Sequence, residues 1–279
     1  MFAGTGLLDR DIILVSINYR LNAFGFFTLD INESPGNLGL LDQLWALSWV
    51  KRNIQHFGGN PDMITIYGQS AGAASVGYLM DTNLTRGLFH RAIQSSGDSS
   101  SGWTVNRNAY NQSLSFSAAL GCTSEDMAVP SIQLNDSVQE QYRIVPNDPI
   151  NNIPEKTRAG VPLLIGTNKN DGSVILSRWA WSAIVWNETH NDFLRYKLLQ
   201  DLLTSANFEL KDYPTGTIEI LISSFLKEMR LPDSFTGVAP FISDIYSAFY
   251  FKAPALSKAK SHAQLGWDTF LYSHEYFNP

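Results

Sequence analysis

Two short apolar runs bracket an amphipathic stretch, and that order constrains the fold more than any other feature of the chain. Asp11–Tyr19 reads DIILVSINY, rich in β-branched residues, which predicts a buried strand of a parallel sheet covered on both faces. Leu40–Phe57 then repeats apolar residues at helical spacing: Leu40, Leu41, Leu44, Trp45, Leu47, Val50, Ile54 and Phe57. Asn37 stands where a helix cap is wanted, and Gly58-Gly59 where a helix stops. Met63–Tyr67, MITIY, reads as a second buried strand, and the small and apolar residues of Ala71–Met80 predict a second helix. Strand, helix, strand, helix is the signature of a parallel α/β sheet.

The pattern continues less regularly. A turn-rich piece with Asn22, Gly25, Asn32, Pro35, Gly36 and Gly39 follows the first strand. Arg91–Ser95 is a candidate strand, and a Gly/Ser loop runs from it to Trp103. From Tyr110 to Pro154 the chain is polar and irregular after a short helical start. Val161–Gly166 and Trp267–Ser273 predict strands; Asn191–Ser205, Thr215–Arg230 and Ser243–Ala263 predict helices, the last broken near Pro254. No internal repeat is present, and the one candidate boundary, near residue 180, does not warrant a split. The expectation is one domain over residues 1–279.

Composition narrows the function classes. With 44% apolar and 12% aromatic residues in 279, the chain has material for a sizeable core. A net charge of −6 without a basic patch argues against nucleic acid or an anionic membrane surface as partner. Cys122 is the single cysteine, so no internal disulfide forms. Sequons at Asn32, Asn83, Asn111, Asn135 and Asn187 speak for a secreted glycoprotein, though only as far as a chain rich in Asn, Ser and Thr allows, and Pro35 weakens the first. The opening MFAGTGLLDRDIILV has no basic leader and is interrupted by Asp9 and Arg10, so it does not read as a signal peptide. No run approaches the ~18 apolar residues of a membrane-spanning helix.

The chemistry concentrates in Gly68-Gln69-Ser70-Ala71-Gly72, a G-x-S-x-G. The five letters alone recur by chance; their setting between a predicted strand and a predicted helix is what a nucleophile elbow requires. Glycines at both ends let the chain turn sharply and remove side chains that would collide across the turn. The helix N-terminus aims positive potential and free N–H groups at Ser70, and the Ala71 N–H is a candidate oxyanion donor. A serine of ordinary pKa needs a base, and the base an orienting acid. Downstream, Val161–Gly166 is followed by TNKNDGS, in which Asp171 is either that acid or an ordinary Asp-Gly turn residue.

INYRLNAFGF (17–26), the long block GNLGLLDQLWALSWVKRNIQHFGGNPDMITIYGQSAGAASV (36–76), GLFHRAIQSSG (87–97) and VPLLIGTNKNDGS (161–173) resemble the type-B carboxylesterase family, which includes the cholinesterases. SDIYSAFYFKAPALSKA (243–259) and FLYSHEYFNP (270–279) are similar to that family's late helix and late strand. The resemblance is dense over 11–103, patchy to 173 and thin beyond. It implies an α/β-hydrolase fold, a mostly parallel sheet with helices on both faces, and hydrolysis of small carboxylic esters with no cofactor and no metal. It implies an extracellular or secretory setting, with no membrane tether in this chain. Ser70 falls on the family's nucleophile, Ala71 on an oxyanion donor, and Asp171 on the triad acid, where the family usually has Glu. Ser96 falls on a buried serine behind the nucleophile. Trp103 falls on a tryptophan near the acyl pocket, a position that core packing explains equally well.

The departures from the family pattern matter as much. Gln69 stands where the family usually has Glu, so it brings hydrogen-bonding capacity without negative charge. The family's H-G-G-G oxyanion loop belongs just before Phe2-Ala3-Gly4, and its catalytic histidine after Tyr276–Pro279. The expectation is therefore an incomplete family domain, weak or inactive as an esterase on its own. Cys122 matches the first cysteine of a family disulfide, with no second cysteine to pair it. Of His56, His90, His190, His262 and His274, none is assigned as the base. A non-catalytic, cholinesterase-like adhesion or binding domain is the alternative: Ser70 argues against it, Gln69 for it.

Overall fold

The computed structural model describes residues 7, 9–119, 121, 143–145, 149, 160–174, 176 and 235–275. The predicted helices 191–205 and 215–230, Cys122, His190 and the sequons at Asn135 and Asn187 lie outside them. The chain divides into two compact units, one of residues 1–66, 78–92 and 105–162, the other of 67–77, 93–104 and 163–279.

In the first unit the turn-rich piece holds a short helix α1, Asn22–Phe26, and a small antiparallel pair, β1 Thr28–Ile31 with β2 Ser34–Pro35. Helix α2, Leu38–Asn53, follows and tightens into a further turn, Ile54–Phe57. Leu40, Leu41, Leu44, Leu47, Val50 and Ile54 are buried, as the spacing requires, and each such side chain contributes about 1.5–3 kcal/mol. Trp45 and Phe57, which share that spacing, instead face out. Gly58, at φ +82°, ends the turn in the left-handed conformation. Asn37 does precede α2, but its side chain makes no capping bond; at φ +52°, its carbonyl accepts from the Leu40 and Leu41 N–H groups. Arg20 grips both carboxylate oxygens of Asp42, which holds that carboxyl below its ordinary pKa. Asn32, Asn83 and Asn111, the sequon asparagines among the described residues, are exposed.

Asp11–Tyr19 is not a strand. It forms no ladder among the described residues, and Ile12–Val15 and Ile17 are exposed. A β-branched run fits a pleated, half-buried surface, but a strand exists only where a neighbouring backbone supplies the ladder.

The principal sheet has the order β3-β4-β5-β6, with β3 Thr65–Gln69, β4 Arg91–Ser95, β5 Leu163–Asn168 and β6 Thr269–His274. All four strands run parallel. Bonds from His90 N to Ile64 O and from Ser70 N to Ser95 O advance together along β3 and β4. Bonds from Ala92 N to Pro162 O and from Ser96 N to Gly166 O do the same for β4 and β5, and β5 pairs with β6 from Leu163↔Thr269 to Asn168↔His274. Helix α3, Ala71–Asp81, starts where β3 ends, and α4 spans Ala109–Ala119.

The C-terminal ends of the strands belong to the second unit. So do α5, Phe235–Tyr246, and α6, Ala253–Gln264, joined by a π-helical turn at Ser247–Lys252. The predicted break near Pro254 is thus a change of helical pitch before it, with Pro254 in the first turn of α6. Leu163, Ile165, Ile242 and Tyr246 are fully buried in this unit.

Candidate active site

The candidate site lies in the second unit, at the C-terminal ends of β3, β4 and β5. Ser70 follows the last residue of β3, precedes the first of α3, and has φ +55°. That left-handed backbone is unfavourable for a residue with a Cβ and holds only because the surroundings impose it. Its N–H donates to Ser95 O at 2.9 Å, and its carbonyl accepts from Ala74 N at 3.0 Å, the first bond of the helix. The turn is therefore fixed from both sides, and the half-buried serine faces the positive end of an 11-residue helix.

The flanking glycines have unequal roles. A Cβ on Gly68 would collide with the Gly72 carbonyl and lie 2.7 Å from Ala73 N, whereas a Cβ on Gly72 would meet nothing within 4 Å. The collision expected at both ends of the motif exists only at its first glycine. A third glycine, Gly97, also makes room for the turn, since a Cβ there would lie 2.5 Å from Ser70 O.

Ser96 is buried and, like Ser70, left-handed, with φ +56°. Its N–H donates to Gly166 O at 2.9 Å, and its hydroxyl accepts from Asn168 Nδ2 at 3.4 Å. Asn168 also holds Asp171, its backbone N–H and its Nδ2 each donating to a different carboxylate oxygen at 2.8 Å. Each oxygen keeps a further lone pair for an imidazole N–H. Ser96, Asn168 and Asp171 thus form one chain of contacts, and the residue after Ser96 abuts Ser70. Gln69 is exposed at the end of β3, and Ala71 is exposed at the start of α3. Trp103 is half-buried, its Nε1–H donating to Tyr250 O at 3.2 Å and its ring 6.2 Å from that of Phe251.

Two further polar groups lie behind the elbow. Gln94 Nε2 donates to Ala73 O at 2.8 Å and to Asp98 Oδ1 at 2.9 Å, and Asp98 Oδ2 accepts from the N–H and hydroxyl of Ser100. Gln94 and Asp98 are fully buried, so this network ties the first turn of α3 to the loop leading to Trp103. Asn168 precedes Asp171 by three residues, and that spacing of an Asn before a carboxylate is a usable sequence signal. Gln94 and Asp98 carry none.

Two of the described histidines, His90 and His262, have structural settings. His90 Nδ1 accepts from Ile64 N–H at 3.2 Å, and burial together with Lys51 lowers its pKa. His262 is buried, its Nδ1 paired with Thr269 Oγ1 at 2.7 Å. His56 and His274 are exposed. Among the described residues no group of three or more His, Cys, Asp or Glu side chains could hold a metal ion, and no helix is long and apolar enough to cross a membrane.

The model of the Carboxylesterase family matches residues 1–279. The chain belongs to the carboxylesterase family. Carboxylesterase 5A of Mus musculus is 30% identical over 295 residues, covering 99% of this chain and 49% of that protein. Neuroligin-2 of Homo sapiens is also 30% identical, over 98% of this chain and 34% of its own length. Juvenile hormone esterase from Manduca sexta superposes with a TM-score of 0.77 at 24% identity, covering 99% of this chain and 56% of that one. The fold is therefore that of the α/β-hydrolases, and the chain spans about half the length of the carboxylesterase it resembles.

Proposed function

We propose that the protein hydrolyses small carboxylic esters through an acyl-enzyme on Ser70, without a cofactor. The observation that carries this reading is the left-handed Ser70 held between a parallel strand and a helix N-terminus. Ser70 Oγ attacks the ester carbonyl carbon while a histidine base takes its proton. The Ala71 N–H donates to the oxyanion that forms, and the alcohol leaves with the proton. Water then repeats the sequence on the acyl-serine. Asp171, oriented by Asn168, accepts the imidazole N–H and holds the base in its working tautomer. An oxyanion donor contributes roughly 10²–10³ in kcat. The base is assigned to none of the described histidines.

The decisive experiment is labelling with a fluorophosphonate probe and hydrolysis of a nitrophenyl ester, in protein expressed from the full coding sequence. Labelling of Ser70, and loss of both labelling and turnover in Ser70→Ala, support the reading. Hydrolysis that persists unchanged in Ser70→Ala refutes it.

A second reading keeps the fold and drops the chemistry: a cholinesterase-like adhesion or binding domain. Similarity to Neuroligin-2, a relative not named for an esterase, and the uncharged Gln69 beside Ser70 favour it. Absence of labelling at Ser70 is its expected signature.

A further inference from the structure

Ser247 sits 75 residues from Gly172 in sequence, yet its hydroxyl accepts from the Gly172 N–H at 2.8 Å in a fully buried contact. Gly172 follows Asp171 directly. A Cβ on Gly172 would collide with Ser243 O and Ser247 N and lie 2.7 Å from Tyr246 Cβ, so the loop is seated against the helix backbone with no clearance. At this point the helix changes pitch: Ser247–Lys252 is π-helical, and Ala253 N–H reaches back to Ala248 O. Such turns are uncommon and recur at functional sites, because the extra residue re-aims the groups on either side. The same turn also holds Trp103, through the bond from its indole N–H to Tyr250 O and the ring of Phe251.

We infer that the π-helical turn Ser247–Lys252 is a positioning element for the candidate site. Ser247 sets the loop that presents Asp171, and Tyr250 with Phe251 sets Trp103, so one helical defect keeps the Asp171 loop and Trp103 in register. The inference rests on the reading of Ser70 and Asp171 as catalytic partners, and assigns Ser247 a role through the Gly172 N–H rather than on the reacting atoms.

Its test uses protein from the full coding sequence, with ester hydrolysis rates expressed per Ser70 titrated by a fluorophosphonate, so that misfolded protein does not count. Ser247→Ala removes the acceptor, and Gly172→Ala forces the same contact apart from the other side. Both are expected to lower kcat by about tenfold to a hundredfold, as a misplacement near 1 Å does, with KM within threefold of the parent. The double variant should lose no more than the worse single one, and Ser247→Thr, which keeps the hydroxyl, should restore kcat to within threefold. Retention of kcat within twofold by both single variants, in a protein whose rate vanishes in Ser70→Ala, overturns the inference and leaves the esterase reading standing. Equal loss in Ser247→Thr and Ser247→Ala overturns it as well. A rate indifferent to Ser70→Ala removes the esterase reading, and this inference with it.

Discussion

The two glycines of the G-x-S-x-G motif should respond to alanine in opposite ways. A Cβ on Gly68 would sit 2.7 Å from Ala73 N and closer still to the Gly72 carbonyl. Non-bonded heavy atoms settle at about 3.5–4.0 Å, so the first turn of α3 must retreat by roughly 0.8 Å or more. Neither neighbour is a flexible side chain, and the Ser70 N–H bond to Ser95 O and the Ala74 N–H bond to Ser70 O resist the shift. Overpacking of this kind costs about 1–3 kcal/mol, and displacement of Ser70 by nearly 1 Å lowers its reactivity by about 10². Gly72 has open space at its Cβ position and lies inside α3, where alanine is the better helix former by about 0.5–1 kcal/mol. Gly68→Ala should therefore melt about 2–4 °C lower per kcal/mol lost, and Gly72→Ala slightly higher than the parent. Thermal unfolding with fluorophosphonate labelling kinetics measures both. A Gly68→Ala protein that melts and labels like the parent, or a Gly72→Ala protein destabilised by more than about 1 kcal/mol, would refute the argument.

Other consequences are equally direct. Asn168→Ala removes the side-chain donor to the Asp171 carboxylate and leaves the backbone donor in place. A hydrogen bond to a charged group contributes about 1.5–3 kcal/mol, so ester turnover should fall by about tenfold to a hundredfold with little change in KM, as steady-state kinetics would record. His90 accepts from Ile64 N–H only while neutral, and its folded-state pKa lies below the ordinary value of 6.5. The folded protein thus disfavours the proton. Stability should be full above pH 6.5 and decline as pH falls through the window beneath it, by urea denaturation at a series of pH values, and His90→Gln should flatten that decline.

The elements nearest Ser70 were legible because their signals are local. A short apolar run, glycine placement and helix-forming composition act over fewer than a dozen residues, and they located the β3 strand, the turn and α3 to within two residues at each end, although Met63 and Tyr67, read as part of a buried strand, are exposed. β4 matched its predicted span, Arg91–Ser95. Asp11–Tyr19 shows the limit of the same reasoning. Its composition states what surface it would fit, but pairing depends on a second backbone, and among the described residues none is bonded to it as a ladder.

By itself the sequence determined the parallel α/β pattern, the elbow around Ser70 and, through its likeness to a family, the candidate acid. Each depends on residues close together in the chain or on a long stretch of matching text. Only the tertiary structure decided that Gly68 and Gly97, and not Gly72, make room for the turn. It alone showed that Asn168 bonds Ser96 as well as Asp171, and that Ser247 seats the loop carrying Asp171 from 75 residues away. Gly97 against Ser70, Asn168 on Ser96 and Ser247 on Gly172 join segments far apart in the chain, and such contacts leave no periodicity for a sequence to display, whereas the Asn168–Asp171 bonds are local.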